Sequence, residues 1–273
     1  MTDTTLLPAG RPHPGPETGH TTAAPRPLPH PAGVILREAR AELVKSLRTP
    51  EYAVPTFVFP ILFFGLFGLA LSSGAGATRY MVATYGVFAM LGPALFGFGT
   101  SVAFEREQGL LALKRIAPLP ALTYPLAKLA TAAAMGFTSL LGVYLLAVLA
   151  GGVRLTAGDW GAMVAVHLLA VPPFALMGLV IGHSLRSQGA MAVTNVLFFI
   201  LCIFGGLWMP IHILPDWIGA IGTVLPSYHL AELALIAVGI ERPGSVGLHL
   251  GVIGLWCGAL TVLAGMAMRR AET

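Results

Sequence analysis

Six long stretches without Asp, Glu, Lys or Arg constrain this chain more than any other feature. Because backbone N–H and C=O groups must pair internally in hydrocarbon, a helix of roughly 20 apolar residues is needed to cross a bilayer. Charged residues make up only 10% of the chain, against ~25% in soluble domains. We therefore predict an all-α integral membrane protein with six transmembrane helices, over residues 52–72, 80–104, 129–153, 160–182, 187–215 and 243–268.

The distribution of Lys and Arg predicts the orientation of these spans. Of the 16 basic residues, only Arg79, Arg154 and Arg242 fall on the side opposite the termini. Cytoplasmic flanks of membrane proteins are enriched in positive charge, so we expect both termini in the cytoplasm. The net charge of +4 reflects this asymmetry, and no nucleic-acid partner is predicted from it.

The start of the chain has a different composition from the rest. Residues 1–32 are rich in proline and small polar residues, which predicts a disordered cytoplasmic tail. Over residues 33–48, Leu and Ala recur at helical spacing among charged residues, which predicts an amphipathic helix in the membrane interface. This helix can serve as an anchor that sets the angle of the first span, or as a contact for a cytoplasmic partner.

A charged motif, E-R-E-Q-G from Glu105 to Gly109, separates the second and third spans. Leucines at helical spacing follow it, and two prolines then end the pattern. We predict a short amphipathic helix over residues 105–117, with the acidic residues in its first turn and Lys114 and Arg115 in its last, an order that complements the helix dipole. A short helix between two spans suits the transmission of force from a soluble partner, and a solvated loop is the alternative.

Several residues in or beside the spans are candidates for a substrate pathway. Aromatic faces can line a path for a flat apolar substrate, although packing is the ordinary use of a single ring. Asn195 would ordinarily hydrogen-bond a neighbouring helix. Glu232 needs a partner at membrane depth, which His229, one turn earlier, can supply. The candidate pathway residues are Phe88, Phe96, Phe98, Asn195, Phe198 and Glu232.

Sequence signals for catalysis and cofactor binding are missing. No G-x-x-x-x-G-K-[ST] phosphate loop occurs, and neither a catalytic triad nor a set of metal ligands at suitable spacing is found. Cys202 and Cys257 fall in separate spans and give no disulfide framework. We therefore expect no catalytic residue, metal or cofactor in this chain, and any energy that its function needs has to come from elsewhere.

The chain resembles the membrane permease subunit of type-2 ATP-binding-cassette (ABC) exporters, and looks most like their actinobacterial drug-resistance branch. The resemblance rests on the amphipathic helix before the first span, on the segment E-R-E-Q-G-L-L-A-L-K-R-I-A-P-L-P that begins at Glu105, and on the G-G-L-W-M-P and L-P-D-W motifs after Gly205. With the six spans, it covers residues 33–270. Leu110 departs from the pattern, since relatives often carry Thr after the glycine.

The resemblance implies a six-span transmembrane domain over residues 33–270, in the bacterial plasma membrane. A coupling helix would seat in a cytoplasmic ABC ATPase subunit, which binds ATP and Mg²⁺, and a second permease copy would complete the transporter. Residues 210–240 would form an outer re-entrant helical hairpin before the last span, in keeping with the cost of placing Asp216 and Glu232 in lipid. The implied coupling residues are Glu105, Arg106, Glu107, Gly109, Leu111, Lys114 and Arg115.

The resemblance and the short outer loops favour the permease of an ATP-driven exporter that moves a hydrophobic or amphiphilic small molecule, such as an antibiotic, out of the cell. An exporter of a lipid-linked glycan or another envelope precursor would use the same coupling segment and is the alternative. An ion-coupled secondary transporter is less favoured, because the six uncharged stretches carry no carboxylate. A membrane enzyme is disfavoured because no reactive constellation occurs.

Overall fold

The computed structural model describes residues 31–71, 74–116 and 122–270. All regular structure in these ranges is helical, and six helical segments are long and apolar enough to cross a membrane. This confirms the predicted all-α architecture. The spans are Pro50–Ala70, Ala75–Glu107, Thr123–Leu149, Ala157–Ser184, Ser187–Phe204 and Val246–Arg270.

Helix α1 (Pro31–Leu47) precedes the first span and packs beside the start of the third. The hydroxyl of Thr131 in that span donates to the carbonyl of Ala39 in α1, at 3.2 Å. Leu36 and Leu47 on α1 stay exposed, as expected for an amphipathic helix with one face toward the interface. The predicted disordered tail lies outside the described residues, apart from its last two positions, which belong to α1.

The first span combines an α-helix, α2 (Pro50–Phe63), with a π-helical segment over Phe64–Ala70. Pro50 lies at the first turn, where the missing N–H costs nothing, because that group has no intrahelical partner. Pro55 and Pro60 lie inside the helix and remove backbone donors there. Wider hydrogen-bonded turns continue the span, with Leu71 N–H donating to Leu66 C=O at 2.9 Å.

Helix α3 (Ala75–Glu107) is the centre of the bundle and is the most deeply buried span. It packs most extensively along α7 (Val171–Ser184), which follows α6 (Ala157–Leu169) after a break at Ala170. Gly182 of α7 lies so close to α3 that an added Cβ would overlap the carbonyl oxygen of Phe98. Small residues thus bring the two backbones into direct contact.

The buried imidazole of His167 ties three helices together. Its Nε2 lies 2.9 Å from the carbonyl of Ala83 in α3, and its Nδ1 lies 2.7 Å from the hydroxyl of Tyr144 in α5 (Thr123–Leu149). Because a carbonyl only accepts, Nε2 carries the proton and the tyrosine donates to Nδ1. The ring fills the space beside Gly86, where an added Cβ would overlap it.

Span five, α8 (Ser187–Phe204), ends well before the predicted residue 215. The span predicted from hydropathy is too long, because the apolar residues after Phe204 belong to a turn at Gly205 and Gly206. Gly206 has φ +67°. A 3-10 turn over Ile211–Ile213 follows, then α9 (Asp216–Gly222) and α10 (Pro226–Ala237), which are bent by 94° relative to each other. This bent pair gives the predicted re-entrant hairpin before α11 (Val246–Arg270).

The bundle has two ends, the α1 face and the opposite face. The α1 face holds α1, the end of α3 and the turn between α7 and α8. The opposite face holds α9 and the connection from α10 to α11. Helix α10 is buried among α3, α6, α8 and α11, so the hairpin is part of the bundle and not a surface loop.

Candidate functional site

Three consecutive residues at the end of α3 each contact a different part of the bundle. Glu105 contacts α1 and α5, Arg106 contacts the end of α7, and Glu107 contacts the start of α8. Successive helical residues point about 100° apart, so one turn reaches neighbours on three sides. The E-R-E motif is therefore the junction of five helices on the α1 face.

Glu105 lies at the centre of a buried group of charges and is only 1% exposed. Its carboxylate accepts from the Lys45 ammonium, from Lys128 at 3.1 Å and from the Tyr124 hydroxyl at 2.6 Å. We call this group the charge cluster, and its members are Glu42, Lys45, Ser101, Glu105, Tyr124 and Lys128.

The charge cluster is electrically balanced, with two carboxylates facing two ammonium groups. The Lys128 ammonium donates to Glu42, to Ser101 at 2.8 Å and to Glu105, so all of its hydrogens are used. Burial of an ion costs several kcal/mol unless it is paired and hydrogen-bonded. Because Lys45 of α1 and Lys128 of α5 both pair with Glu105, these ion pairs hold α1 and α5 against the end of α3.

Lys45 is the member of the cluster nearest to water, with its side chain 49% exposed. Burial lowers the pKa of Lys45, but its hydrogen bond to Glu105 and the negative charges of Glu105 and Glu42 outweigh burial and raise the pKa above the ordinary value. The ammonium therefore stays charged at neutral pH. The link between α1 and α3 is thus an ion pair under physiological conditions.

Arg106 binds the C-terminal end of α7. Its guanidinium donates to the carbonyl of His183 and, at 2.6 Å, to the carbonyl of Leu185. The last carbonyls of a helix have no intrahelical partner and carry partial negative charge, so a guanidinium is a suitable cap.

Glu107 caps the helix that follows. Its carboxylate accepts from the backbone N–H of Ser187 at 3.0 Å and from the hydroxyl of the same residue. Glu107 is exposed to solvent, so it is not part of the buried bundle interior. The carboxylate instead supplies the acceptor that the N-terminus of α8 lacks.

The charged motif ends a span and does not begin the surface helix, which corrects the predicted helix over residues 105–117. Gly109 has φ +72°, a conformation that glycine adopts at little cost, and α3 stops just before it. The surface helix is α4 (Leu110–Ile116), which has no acidic residue in its first turn. The acidic residues therefore bind the bundle, and the dipole argument does not apply to them.

The surface presented on the α1 face is the apolar side of α4. Leu113 is 61% exposed, whereas Leu111 packs against the bundle core. The side chains of Lys114 and Arg115 lie outside the described part of the structure. That Glu105, Arg106, Glu107, Gly109, Leu111, Lys114 and Arg115 couple to an ATPase stays a prediction, in which Glu105 acts from inside the bundle.

Four of the predicted pathway residues line one cavity between α2, α3 and α8. The cavity has a volume of about 290 Å³. Phe98 is not on its wall, because this ring faces the buried core, and Glu232 lies in the hairpin. Sequence reasoning missed three aromatic rings of the wall, Tyr52, Phe59 and Phe199. The predicted residues that line it are Phe88, Phe96, Asn195 and Phe198.

Asn195 does not bond a neighbouring helix, contrary to the expectation for an intramembrane asparagine. Its amide nitrogen donates to the carbonyl of Met191, one turn earlier in α8, at 2.9 Å. The side chain is exposed on the cavity wall. Its amide nitrogen is therefore used within α8.

A second cavity, of about 270 Å³, lies beside the first and shares Tyr52, Pro93 and Phe96 with it. Its wall includes Lys45 and Lys128 of the charge cluster. The two cavities together make an interrupted groove along α2 and α3, apolar and aromatic in the middle of the bundle and polar at the α1 face.

The partner of Glu232 is Arg242 and not His229. The guanidinium donates two parallel hydrogen bonds to the carboxylate, at 2.7 and 2.6 Å. Glu232 is 2% exposed, so the pair is needed to offset the cost of burial. The sequence pattern hid this partner, because Arg242 reads equally well as one of the few basic residues on the opposite face.

Comparison with known proteins identifies the family. A family profile described as "ABC-2 type transporter" matches residues 36–238. The chain belongs to this family. A protein of Bacillus subtilis (strain 168) named "Putative transport permease YvfS" is 28% identical to this ABC-2 permease over 203 residues, which span 73% of the permease and 83% of that protein.

Family membership confirms the resemblance found in the sequence and makes the chain a multi-pass membrane subunit of an ABC transporter. It also implies a separate ABC ATPase subunit as partner. Within the described ranges, no group of three or more His, Cys, Asp or Glu side chains is placed to hold a metal ion. Cys202 and Cys257 are both free thiols.

Proposed function

We propose that the permease exports a hydrophobic or amphiphilic small molecule across the bacterial plasma membrane, driven by a separate ATPase subunit. In this proposal both termini are cytoplasmic, so that the α1 face is the cytoplasmic face. Two permease copies pair, each binds one ATPase subunit, and ATP and Mg²⁺ bind to the ATPase alone. The observation that carries the proposal is the junction at the E-R-E motif.

The junction supports coupling because it joins α4, a short helix between the second and third spans, to most of the bundle. A push on α4 passes through Gly109 to the end of α3. From there, Glu105 transmits it to α1 and α5, and Arg106 and Glu107 transmit it to α7 and α8. Interlocked side chains of this kind move as a unit, since close-packed interiors transmit strain.

The aromatic cavity supports an apolar substrate. Five phenylalanine rings line it, namely Phe59, Phe88, Phe96, Phe198 and Phe199. Its polar groups are few, which is typical of sites for small apolar ligands. The cavity lies beside α2 and α8. The spans that contain these helices are among the least buried of the bundle. A second permease copy packed against them would enclose the cavity.

The alternative substrate, a lipid-linked glycan, would need a cavity wall with many hydrogen-bonding side chains. A glycan presents many hydroxyl groups, which need hydrogen-bonding partners when they leave water. The aromatic cavity offers mainly carbon, with polar side chains at Glu51, Tyr52, Thr56 and Asn195, whereas the second cavity also carries the ammonium groups of Lys45 and Lys128. The small-molecule proposal is preferred for this reason, and a glycan exporter is the outcome that transport assays would have to reveal.

The test is reconstitution of the permease with its ATPase subunit in proteoliposomes. We expect movement of a fluorescent amphiphile such as ethidium to require ATP, and to be abolished when the ATPase is omitted. Movement driven by an ion gradient without ATP would contradict the proposal and favour a secondary transporter. ATP-dependent movement of a lipid-linked glycan, with none of ethidium, would replace the substrate part of it.

A further inference from the structure

Two buried histidines meet on the opposite face, away from the charge cluster and both cavities. His229 of α10 is 4% exposed and His249 of α11 is 2% exposed. Their Nδ1 atoms lie 2.8 Å apart, which is hydrogen-bonding distance. The pair joins the re-entrant hairpin to the first turn of the last span.

Each ring also meets a backbone carbonyl through its other nitrogen. His229 Nε2 lies 2.9 Å from the carbonyl of Thr223, in the turn before α10. His249 Nε2 lies 3.3 Å from the carbonyl of Pro243, in the loop before α11. A carbonyl oxygen only accepts, so a bond at either contact requires a hydrogen on that Nε2.

The number of hydrogens does not match the number of contacts when both rings are neutral. Two neutral imidazoles carry one N–H each, whereas the two carbonyl contacts and the contact between the rings need one hydrogen apiece. One contact must then place two lone pairs face to face. The contact with Pro243 is the longest and is the one expected to be left without a hydrogen.

We propose that His229 and His249 form a binding site for one proton, which fastens the re-entrant hairpin to the start of the last span. The added proton completes all three contacts at once, as an imidazole and an imidazolium that share the hydrogen between their Nδ1 atoms. No bond other than N–H is made or broken, and the proton comes from solvent.

The surroundings of the histidine pair set the pH at which it takes up the proton. Burial lowers the pKa of His229, the carbonyl of Thr223 raises it, a charge on His249 lowers it, and the carboxylate of Glu232 raises it, with a net result below the ordinary histidine value. The protonated, fully bonded state is therefore the acidic one. As the pH rises through that pKa, the contact with Pro243 is lost first.

The other titratable groups near α10 are occupied elsewhere. Glu232 is held by Arg242, and Tyr228 and Tyr80 lie around that ion pair. On the remaining helices packed against α10, His167 bonds to Ala83, Asp159 caps its own helix and Cys202 faces Tyr85. Because these groups are held by other partners, the proton is left to the histidine pair.

The proton site also connects to the ion pair of the hairpin. Pro243 directly follows Arg242, which clamps Glu232. Fastening the Pro243 carbonyl to α11 therefore restrains the loop that carries the guanidinium. At acidic pH the histidine pair bonds the carbonyls of both Thr223 and Pro243. Above the pKa it bonds the carbonyl of Thr223 alone.

The test is a pH titration of the full-length protein in lipid bilayers, with ¹⁵N-labelled histidine followed by solid-state NMR. We expect the ring signals of His229 and His249 to shift together, in one step that corresponds to one proton, between about pH 4 and about pH 6.5, below the ordinary histidine value. The substitution His249→Gln should abolish that step at His229, and His229→Gln should abolish it at His249. His212→Gln, at an exposed histidine on the same face, should leave the step in place.

Two results would overturn the proposal. One is separate titration of the two rings with different midpoints, unaffected by substitution of the partner. The other is the absence of any titration at either ring in this range. The wild-type titration decides between these outcomes by itself, so the proposal remains testable even where a glutamine variant does not fold.

Discussion

The two faces of the permease bury charges in different ways. On the α1 face, the charge cluster joins residues far apart in sequence, such as Glu42 and Lys128, which are 86 positions apart. On the opposite face, Glu232 and Arg242 are 10 positions apart and close one hairpin. Charge pairing therefore locks separate helices together at one end and shapes a single segment at the other.

In the proposed mechanism, this difference separates coupling to the ATPase from local stability. A change in the charge cluster alters the relative positions of α1, α3 and α5, and so reaches the surface helix α4. A change at Glu232 alters the hairpin alone. Variants at the two faces are expected to differ in their effect on ATPase association even where their effects on folding are similar.

The largest effect is expected from Glu105→Ala. It leaves the Lys128 ammonium, whose side chain is 3% exposed, without one of its two carboxylate partners. Loss of one partner from a buried ion pair typically lowers the free energy of unfolding by about 3–5 kcal/mol. Thermal unfolding in detergent measures this loss. Glu241→Ala, at an exposed glutamate, is the matched control and should be near neutral. Equal unfolding temperatures for the two variants would contradict the buried cluster.

The second variant, Glu232→Ala, tests the opposite face. It removes a carboxylate that accepts two hydrogen bonds from Arg242. The loss is expected to be about 1.5–3 kcal/mol, as for hydrogen bonds to charged groups, because the guanidinium stays partly accessible to water. Co-purification with the ATPase should be unchanged in the fraction that folds. Loss of co-purification from folded Glu232→Ala would erase the proposed difference between the faces.

Arg106→Gln tests the junction with less effect on folding. The neutral amide cannot cap both carbonyls at the end of α7, and we expect a loss of about 1 kcal/mol, the usual net value of a hydrogen bond. ATP-driven transport should fall more than ATPase association does, since the link to α7 is broken while α4 is intact. Arg186→Gln, at an exposed residue of the same turn, is the control. Equal transport by both variants would argue against transmission through Arg106.

Leu113→Ser should have the smallest effect on stability and a specific effect on association. The side chain is 61% exposed, and surface changes of this kind usually stay within about 0.5 kcal/mol. If the apolar side of α4 docks on the ATPase, co-purification should be lost. Leu36→Ser, at a leucine of α1 that is 71% exposed, is the control. Retained association in the α4 variant would move the docking surface elsewhere.

Sequence reasoning succeeded where solvent alone decides the structure. The number of spans followed from the cost of charge and unpaired backbone in hydrocarbon, and the hairpin was implied by the family resemblance, in keeping with the same cost. It failed at boundaries set by local conformation. The fifth span ends at Phe204, because a glycine turn outweighs continued hydropathy, and the surface helix begins at Leu110, because Gly109 ends α3.

The candidate site shows the same division. The E-R-E motif was recognisable as unusual, but its contacts with α1, α5, α7 and α8 were not, because many basic residues compete as partners for each carboxylate. Arg242 was likewise hidden among charges that set the topology. Asn195 was expected to bond another helix, and only the register of α8 shows that it bonds Met191.

The sequence by itself determined how the chain fits the membrane: six apolar helices and one charged motif between two of them. Both follow from the free energy of transferring each residue from water to hydrocarbon. What only the tertiary structure decided is which charges meet. Pairing depends on the distances between helices packed through residues such as Gly182, and a distance between atoms distant in the chain is set by packing, which no local pattern of residues encodes.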